Sequence, residues 1–246
     1  MNETFPGIVI REMPSGENGK LLYVLTADRG VVRINATGAR KLTASYLKSV
    51  QMFAYSRLTV YEKNGHMTLT EAELIEGFYY IRKDLVALAF ASYACEMAYI
   101  SAVPDDSSVL RLLLNTLYAV SNAIAPINII KAVFELKLCC VSGLMPDIED
   151  GCAVCGDEAA GFCMNELEPR CAVHADSGWG FIPLCAAARR IVSFVCGADY
   201  SKMLSFRASP DAIEDFCAFC EAFMTASMEV NPKTLQFYRE RSRKQL

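Results

Sequence analysis

Gly30-Val31-Val32-Arg33-Ile34-Asn35-Ala36-Thr37 is the run that decides how this chain begins. Val32, Ile34 and Ala36 fall on one face and Val31, Arg33 and Asn35 on the other, the period-two pattern of a strand with one face in a core. The same signature recurs on both sides. Gly7 to Glu12, Lys20 to Thr26, Met52 to Glu62 and His66 to Ala72 are rich in Val, Ile, Leu, Tyr and Thr. Ser15-Gly16-Glu17-Asn18-Gly19, Asp28-Arg29-Gly30 and Asn64-Gly65 separate them with residues that tolerate tight turns. Five strands within residues 1–76 predict a small barrel. An OB-type barrel is the expected architecture, and pattern alone leaves an SH3-like barrel open.

From about Gly77 the period becomes helical. Phe78, Leu85, Leu88, Ser92, Cys95 and Tyr99 follow three- and four-residue steps, and Pro104-Asp105-Asp106 ends the run. A second helix is expected from Ser108 to Asn122 on Leu110, Leu113, Leu114 and Leu117, and a third from Pro126 to Gly143 on Ile127, Ile130, Phe134 and Leu138. These stripes read as core. Helical patterning returns from Leu184 to Val195, Ser209 to Met228 and Pro232 to Arg241, with Ser209-Pro210-Asp211 a good helix start. The expected class is therefore α+β, with a barrel domain over 1–76 and a helical domain over 77–246. The apolar stretch Leu85 to Val103 is interrupted by Ser92 and Glu96 and has no second span beyond it, so it reads as a buried helix and not a membrane segment.

The loudest chemistry is a C-x2-C-x15-C-x2-H frame: Cys152, Cys155, Cys171 and His174. Two ligand pairs on two tight turns can close around one tetrahedral ion, which predicts a zinc-binding insert at about 147–182. Protein fills all four positions, leaving none for substrate or an activated water, so the zinc is structural and catalysis at it is not expected. The zinc deaminase pattern is missing, since Gly151 precedes Cys152 and Met67-Thr68 follows His66. Cys163 and Cys185 flank the frame as alternative ligands, but only Cys171 and His174 repeat the first pair's gap. Cys217 and Cys220 form another C-x2-C inside a helical run, where small thiols usually face a core, and Cys95, Cys139, Cys140 and Cys196 read the same way. A thiol redox role for Cys217 and Cys220 is the competing reading. His66 reads as an exposed turn residue.

The 11 cysteines would suggest disulfides in a small secreted protein, but Met1-Asn2-Glu3-Thr4-Phe5-Pro6 has neither a basic nor an apolar leader region, so a reducing cytoplasm is expected. The net charge of −4 argues against a uniformly basic nucleic-acid binder. Charge is nevertheless segregated: residues 1–60 carry eight Lys/Arg against four Asp/Glu, residues 145–168 carry seven acids and no base, and residues 233–246 carry five bases against one acid. Arg33 on a strand face, Arg40 and Lys41 at its end and Lys48 beyond can track phosphates, while Tyr23, Tyr46, Phe53 and Tyr55 can offer stacking surfaces. Arg239-Glu240-Arg241-Ser242-Arg243-Lys244 is a second basic cluster or a solvated tail.

The ordered set of features resembles the RecO family of bacterial recombination mediators. It is carried by Gly7-Ile8-Val9-Ile10-Arg11, Thr37-Gly38-Ala39-Arg40-Lys41 and Thr70-Glu71-Ala72-Glu73-Leu74-Ile75-Glu76-Gly77-Phe78. Phe134-Glu135-Leu136-Lys137-Leu138, Gly143-Leu144-Met145-Pro146, Cys152-Ala153-Val154-Cys155-Gly156 and Phe162 continue it. The resemblance implies an OB domain, a helical domain and a zinc insert. It also implies a non-enzymatic protein that binds single- and double-stranded DNA, anneals complementary strands, and works with RecR and single-strand binding protein to load RecA, in the cytoplasm at the nucleoid. Phosphate contacts are then expected from Arg11 as well as Arg33, Arg40, Lys41 and Lys48. His174 stands where the family usually has Cys, and Gly143-Leu144 replaces the commoner Gly-Tyr. A zinc-containing protein-interaction adaptor that does not touch DNA is the alternative.

Overall fold

A computed structural model describes residues 2–39, 46–145, 148, 151–175 and 180–243. Five strands, β1 (Asn2–Ser15), β2 (Gly19–Thr26), β3 (Val31–Ala36), β4 (Tyr55–Lys63) and β5 (His66–Glu76), form a closed barrel in the order β1-β2-β3-β5-β4. All neighbours are antiparallel except β3 and β5, which pair in parallel at Ile34↔Met67 and Asn35↔Thr68. That closure is the OB arrangement and sets the SH3-like alternative aside.

Closure depends on β1, which pairs with β4 through Asn2–Ile8 and with β2 through Gly7–Ser15. Gly7 belongs to both ladders, and a Cβ there would lie 2.4 Å from Val24 Cγ1, so glycine is what lets the strands cross so closely. Just beyond, the β1–β2 register slips between Val9 and Arg11, making Ile10 the extra residue of a bulge. Val9, Leu22, Val24, Ile34, Ala36, Val50, Leu58, Val60 and Leu69 fill the barrel. Ile34 and Ala36 are buried while Arg33 is exposed, as alternation along β3 requires; Val32 is half-buried and packs against the margin of this core.

A 3-10 turn (Tyr79–Lys83) links the barrel to α1 (Leu85–Ser101), whose N-cap Asp84 accepts from the Ala87 N–H at 2.7 Å. Helix α1 corrects the expected face. Leu85 and Tyr99 are exposed and Leu88 and Ser92 only half-buried, whereas Phe90, Tyr93 and Met97 are fully buried. The helix is apolar almost all round, with alanines filling most of the remaining positions, so periodicity could not choose its buried side. Among the described residues no helix is long and apolar enough to cross a membrane. Helix α2 (Ser108–Ser121) buries Leu110, Leu113 and Leu117 as expected.

The chain divides into two compact units, one of residues 2–121 with 234–243 and the other of residues 122–233. In the first, the C-terminal segment is no loose tail. It forms a helix over Lys233–Ser242 that buries Leu235 and Tyr238, sets Tyr238 edge-on to Phe90 at 6.0 Å, and lets Glu96 accept from the Thr234 N–H. Lys244 lies outside the described residues.

The second unit contains α3 (Ile127–Val141), a small sheet of β6 (Gly161–Cys163), β7 (Glu168–Arg170) and β8 (Phe181–Pro183) in the order β7-β6-β8, α4 (Ala186–Gly197) and α5 (Pro210–Ser227). Helices α3 and α5 are its main packed pair. Between them the buried Lys131 ammonium bonds Glu135 at 2.8 Å and Glu221 at 2.6 Å. Burial alone would lower this lysine, yet the two carboxylates hold it above its ordinary value. Helix α5 starts where expected, with Ser209 Oγ accepting from the Ala212 N–H and Pro210 in the first turn.

Because the Gly7 crossing leaves no room for a methyl group, Gly7→Ala should destabilise the protein by about 1–3 kcal/mol, measured by urea unfolding. An unchanged midpoint would show that the crossing is not tight.

Candidate metal centre and basic barrel face

Cys152, Cys155, Cys171 and His174 each offer one ligand atom, and these atoms all lie within 4.8 Å of one another. Cys155 Sγ is 3.7 Å from Cys171 Sγ, and His174 Nδ1 is 3.3 Å from Cys171 Sγ and 3.6 Å from Cys152 Sγ. A tetrahedral ion with sulfur and imidazole bonds of ordinary length would set such ligands about 3.5–3.8 Å apart, so the donor set fits. Cys163, in β6, and Cys185, at the start of α4, are outside this group.

Local backbone makes the two knuckles. The Gly156 N–H donates to Cys152 O at 2.8 Å, and Gly156 has φ 78°, a left-handed residue that turns the chain back after Cys155. The His174 N–H donates to Cys171 O at 3.1 Å in the second knuckle. Against burial, which would raise it, the N–H groups of Cys171, Val154 and Cys155 hold the Cys152 thiol down to about 6. Cys155 accepts an Asp157 backbone hydrogen bond, but burial, the Asp157 carboxylate and the adjacent thiols push it up to about 12. Converging thiolates repel one another, and a divalent cation would relieve that repulsion.

Three residues per strand cannot enclose a core, so the insert borrows one. Phe162, 1% exposed, meets Phe219 and Phe223 of α5 edge-on at 5.4 and 5.7 Å. Arg189 of α4 ties down the other side, donating to the Ala159 and Leu184 carbonyls and pairing with Glu158 at 2.6 Å. Buried Arg170 pairs with Glu168 of its own strand and with Glu166 of the hairpin turn.

On the barrel, register gathers a second constellation. Arg11 of β1 and Arg33 of β3 both lie opposite Tyr23 of β2, making a row across three strands. Arg11 Cζ sits 5.3 Å over the Tyr23 ring, and Tyr99 of α1 meets that ring edge-on at 5.9 Å. Both arginines are exposed, and neither forms an ion pair among the described residues, whereas nearby Lys20 and Arg29 are paired with Glu12 and Glu3. A groove of about 540 Å³ opens beside the row, lined by Tyr23, Arg33 and Tyr99 with Arg29, Ile100 and Pro104. The loop after α1 forms its wall, held by the Asp105 N–H donating to Asp28 O at 2.8 Å.

The expected site residues fare differently. Arg11 and Arg33 come together; Lys48 is exposed on a 3-10 turn (Leu47–Val50) packed against β4 and β5; Arg40 and Lys41 lie outside the described residues. Of the expected stacking aromatics, Phe53 is buried core, and Tyr46 is half-buried with its hydroxyl donating to Thr37 O. Tyr99 was missed because helical spacing assigned it to the core stripe.

These features define a class: an OB-barrel protein whose helical part carries a knuckle-type insert with a Cys3His cluster that could hold a metal ion. The N-terminal model of recombination protein O matches residues 1–78 and the C-terminal model matches residues 82–236. The chain belongs to the RecO family. It is 24% identical over 237 residues to the DNA repair protein RecO of Acetivibrio thermocellus, spanning 94% of both chains. It is also 27% identical over 242 residues to that of Symbiobacterium thermophilum, again 94% of both, and 32% identical over 151 residues to that of Dehalococcoides mccartyi, 60% of this chain and 58% of the relative.

Reduced protein should bind one divalent ion per chain. Bound ion must displace thiol protons, that of Cys155 at any pH below about 12, so affinity should fall as pH is lowered and more steeply below about 6, where the Cys152 thiol also protonates. His174→Ala should weaken retention at least tenfold while Cys185→Ser leaves it unchanged, read by chelator competition; the reverse would move the fourth ligand. Phe162→Ala should cost about 3–5 kcal/mol of stability in a denaturant titration.

Proposed function

We propose that this chain is a DNA repair mediator that holds DNA on the β1-β2-β3 face of its barrel, and the observation that carries the reading is the Arg11–Tyr23–Arg33 row. Two guanidinium groups on one sheet face, with no ion pair among the described residues, suit successive phosphates, because each neutralised phosphate releases condensed counterions. The exposed Tyr99 ring beside the groove offers a base a stacking surface that does not depend on sequence. Arg40, Lys41 and Lys48 extend the phosphate contacts in this reading. The overall −4 charge is compatible with it, because residues 145–168 carry seven acids and no base while residues 1–60 carry eight Lys/Arg against four Asp/Glu.

The proposed work needs no covalent chemistry. Screening two backbones and keeping them close raises the effective concentration of complementary strands, which favours annealing of single strands into duplex. Membership of the RecO family supports the remaining steps: co-operation with RecR, engagement of single-strand binding protein, and delivery of RecA to the coated strand. The ion in the Cys152, Cys155, Cys171 and His174 cluster is proposed to be zinc, because three thiolates and one imidazole suit a tetrahedral, redox-inert borderline cation. Filled by protein ligands, it acts as a staple for the insert. A reducing cytoplasm, at the nucleoid, is the compartment in which eleven cysteines without a disulfide among the described residues, and this cluster, persist.

Fluorescent single-stranded DNA titrated across a salt series tests the reading. Affinity should fall with salt, and Arg11→Ala or Arg33→Ala should each reduce the log–log slope by about 0.7. Tyr99→Ala should cost about 1–3 kcal/mol with little change in slope. No binding at low salt would leave the protein-interaction adaptor in its place. Elemental analysis should find zinc in reduced, purified protein, and a different metal or none would refute that assignment.

A further inference from the structure

Sequence pattern places Cys140 and Cys196 among inert core thiols, but the fold sets them face to face. Cys140 is in the last turn of α3, Cys196 in the last turn of α4, and their sulfurs are 3.3 Å apart. Both are only half-buried, unlike Cys95, Cys139 and Cys220, which are enclosed and whose thiols burial pushes up. Forming a bond of about 2.05 Å from this separation needs a closing movement of about 1.2 Å. Lys137, one turn before Cys140, donates to Cys196 O at 3.1 Å and Ala198 O at 2.6 Å, fixing the end of α4 against α3 and bringing a cation to the thiols. The hydrogen bond with Cys196 lowers Cys140 below an ordinary thiol, with burial opposing and Lys137 assisting, while Cys196 is raised by the same hydrogen bond. The lowered Cys140 thiol is the better nucleophile of the pair.

We propose that Cys140 and Cys196 form a peroxide-responsive dithiol that closes to an intrachain disulfide. The Cys140 thiolate attacks one oxygen of hydrogen peroxide; the O–O bond breaks, and the departing hydroxide takes a proton to become water. The resulting sulfenic acid is then attacked at sulfur by Cys196. The S–S bond forms as the S–O bond breaks, and the hydroxyl leaves with the Cys196 proton as a second water. Two thiols lose two electrons and one peroxide is reduced. Because the cysteines are 56 positions apart and enclose Cys152, Cys155, Cys171 and His174, the bond joins the two roots of the metal-binding insert. It would hold those roots together under the oxidising conditions that also threaten the cluster's thiolates.

The test treats full-length, metal-loaded protein with graded hydrogen peroxide, alkylates remaining thiols, and maps the unreduced protein by mass spectrometry while metal release is followed with a chelating dye. The Cys140–Cys196 cross-link should appear at lower peroxide than metal release, reverse with dithiothreitol, and raise Tm by about 5–10 °C. Cys139→Ser should keep the cross-link, Cys140→Ser should abolish it, and Cys196→Ser should accumulate a dimedone-reactive sulfenic acid at Cys140. Recovery of both residues as alkylated free thiols at peroxide levels that already expel the metal would overturn the proposal, as would pairing through Cys139. The wild-type map decides the matter even if a variant fails to fold.

Discussion

A single extra residue in β1 governs the barrel. Ile10 has no partner of its own in β2, so the strand bends there and passes from its β4 pairing to the rest of its β2 pairing, which is how so short a sheet closes on itself. The bulge also changes which way Arg11 points. Val9 faces the barrel core, and strict alternation would send Arg11 inward with it; the inserted residue turns Arg11 out to lie over Tyr23. Ile8 and Ile10 remain buried on the outer side, where α1 packs against β1. The basic–aromatic face follows from that local break in register, while two further shifts in the β4–β5 ladder, after Tyr55 and after Thr59, bend the sheet elsewhere as it closes.

The second unit meets a different constraint. Its insert has too little chain in regular structure to be stable alone, and it has two devices to compensate: three Cys and one His converging at the knuckles where they could hold an ion, and an aromatic anchor, Phe162, against Phe219 and Phe223 of α5. Metal-ligand spacing is read easily from sequence because a knuckle is a local object. The anchor is less legible. Phe162 stands out only through family resemblance, and its partners Phe219 and Phe223 lie more than fifty positions further on, in a helix whose own pattern says merely that they are apolar.

Where sequence reasoning went astray, the cause was either excess apolarity or distance along the chain. In α1, alanine on nearly every side left the 3.6-residue period without a contrast to report, so the stripe through Leu85 and Tyr99 was mistaken for core and the groove's exposed ring was overlooked. Phe53 looked like a strand aromatic free to stack because the expected strand ran from Met52, whereas β4 begins only at Tyr55 and Phe53 is buried in the turn before it, with φ 68°. Cys140 and Cys196 each sit sensibly in an amphipathic helix, and nothing local marks them as a pair. Cys217 and Cys220, whose C-x2-C spacing drew attention, are the quieter pair: burial raises Cys217 to about 11 and holds Cys220 well above an ordinary thiol.

By itself the sequence determined what depends on neighbours along the chain: five alternating strands with their turns, the helix order, the N-cap at Ser209, the two ligand knuckles, and enough ordered motifs to resemble one family. These are short-range properties, set by side-chain period, turn chemistry and ligand spacing. Only the tertiary structure decided the parallel β3–β5 closure, the bulge that turns Arg11 outward, the side α1 buries, the anchor under the insert and the sulfur contact between α3 and α4. Each joins residues distant in sequence, and which of many compatible partners they meet is chosen by packing the whole core at once.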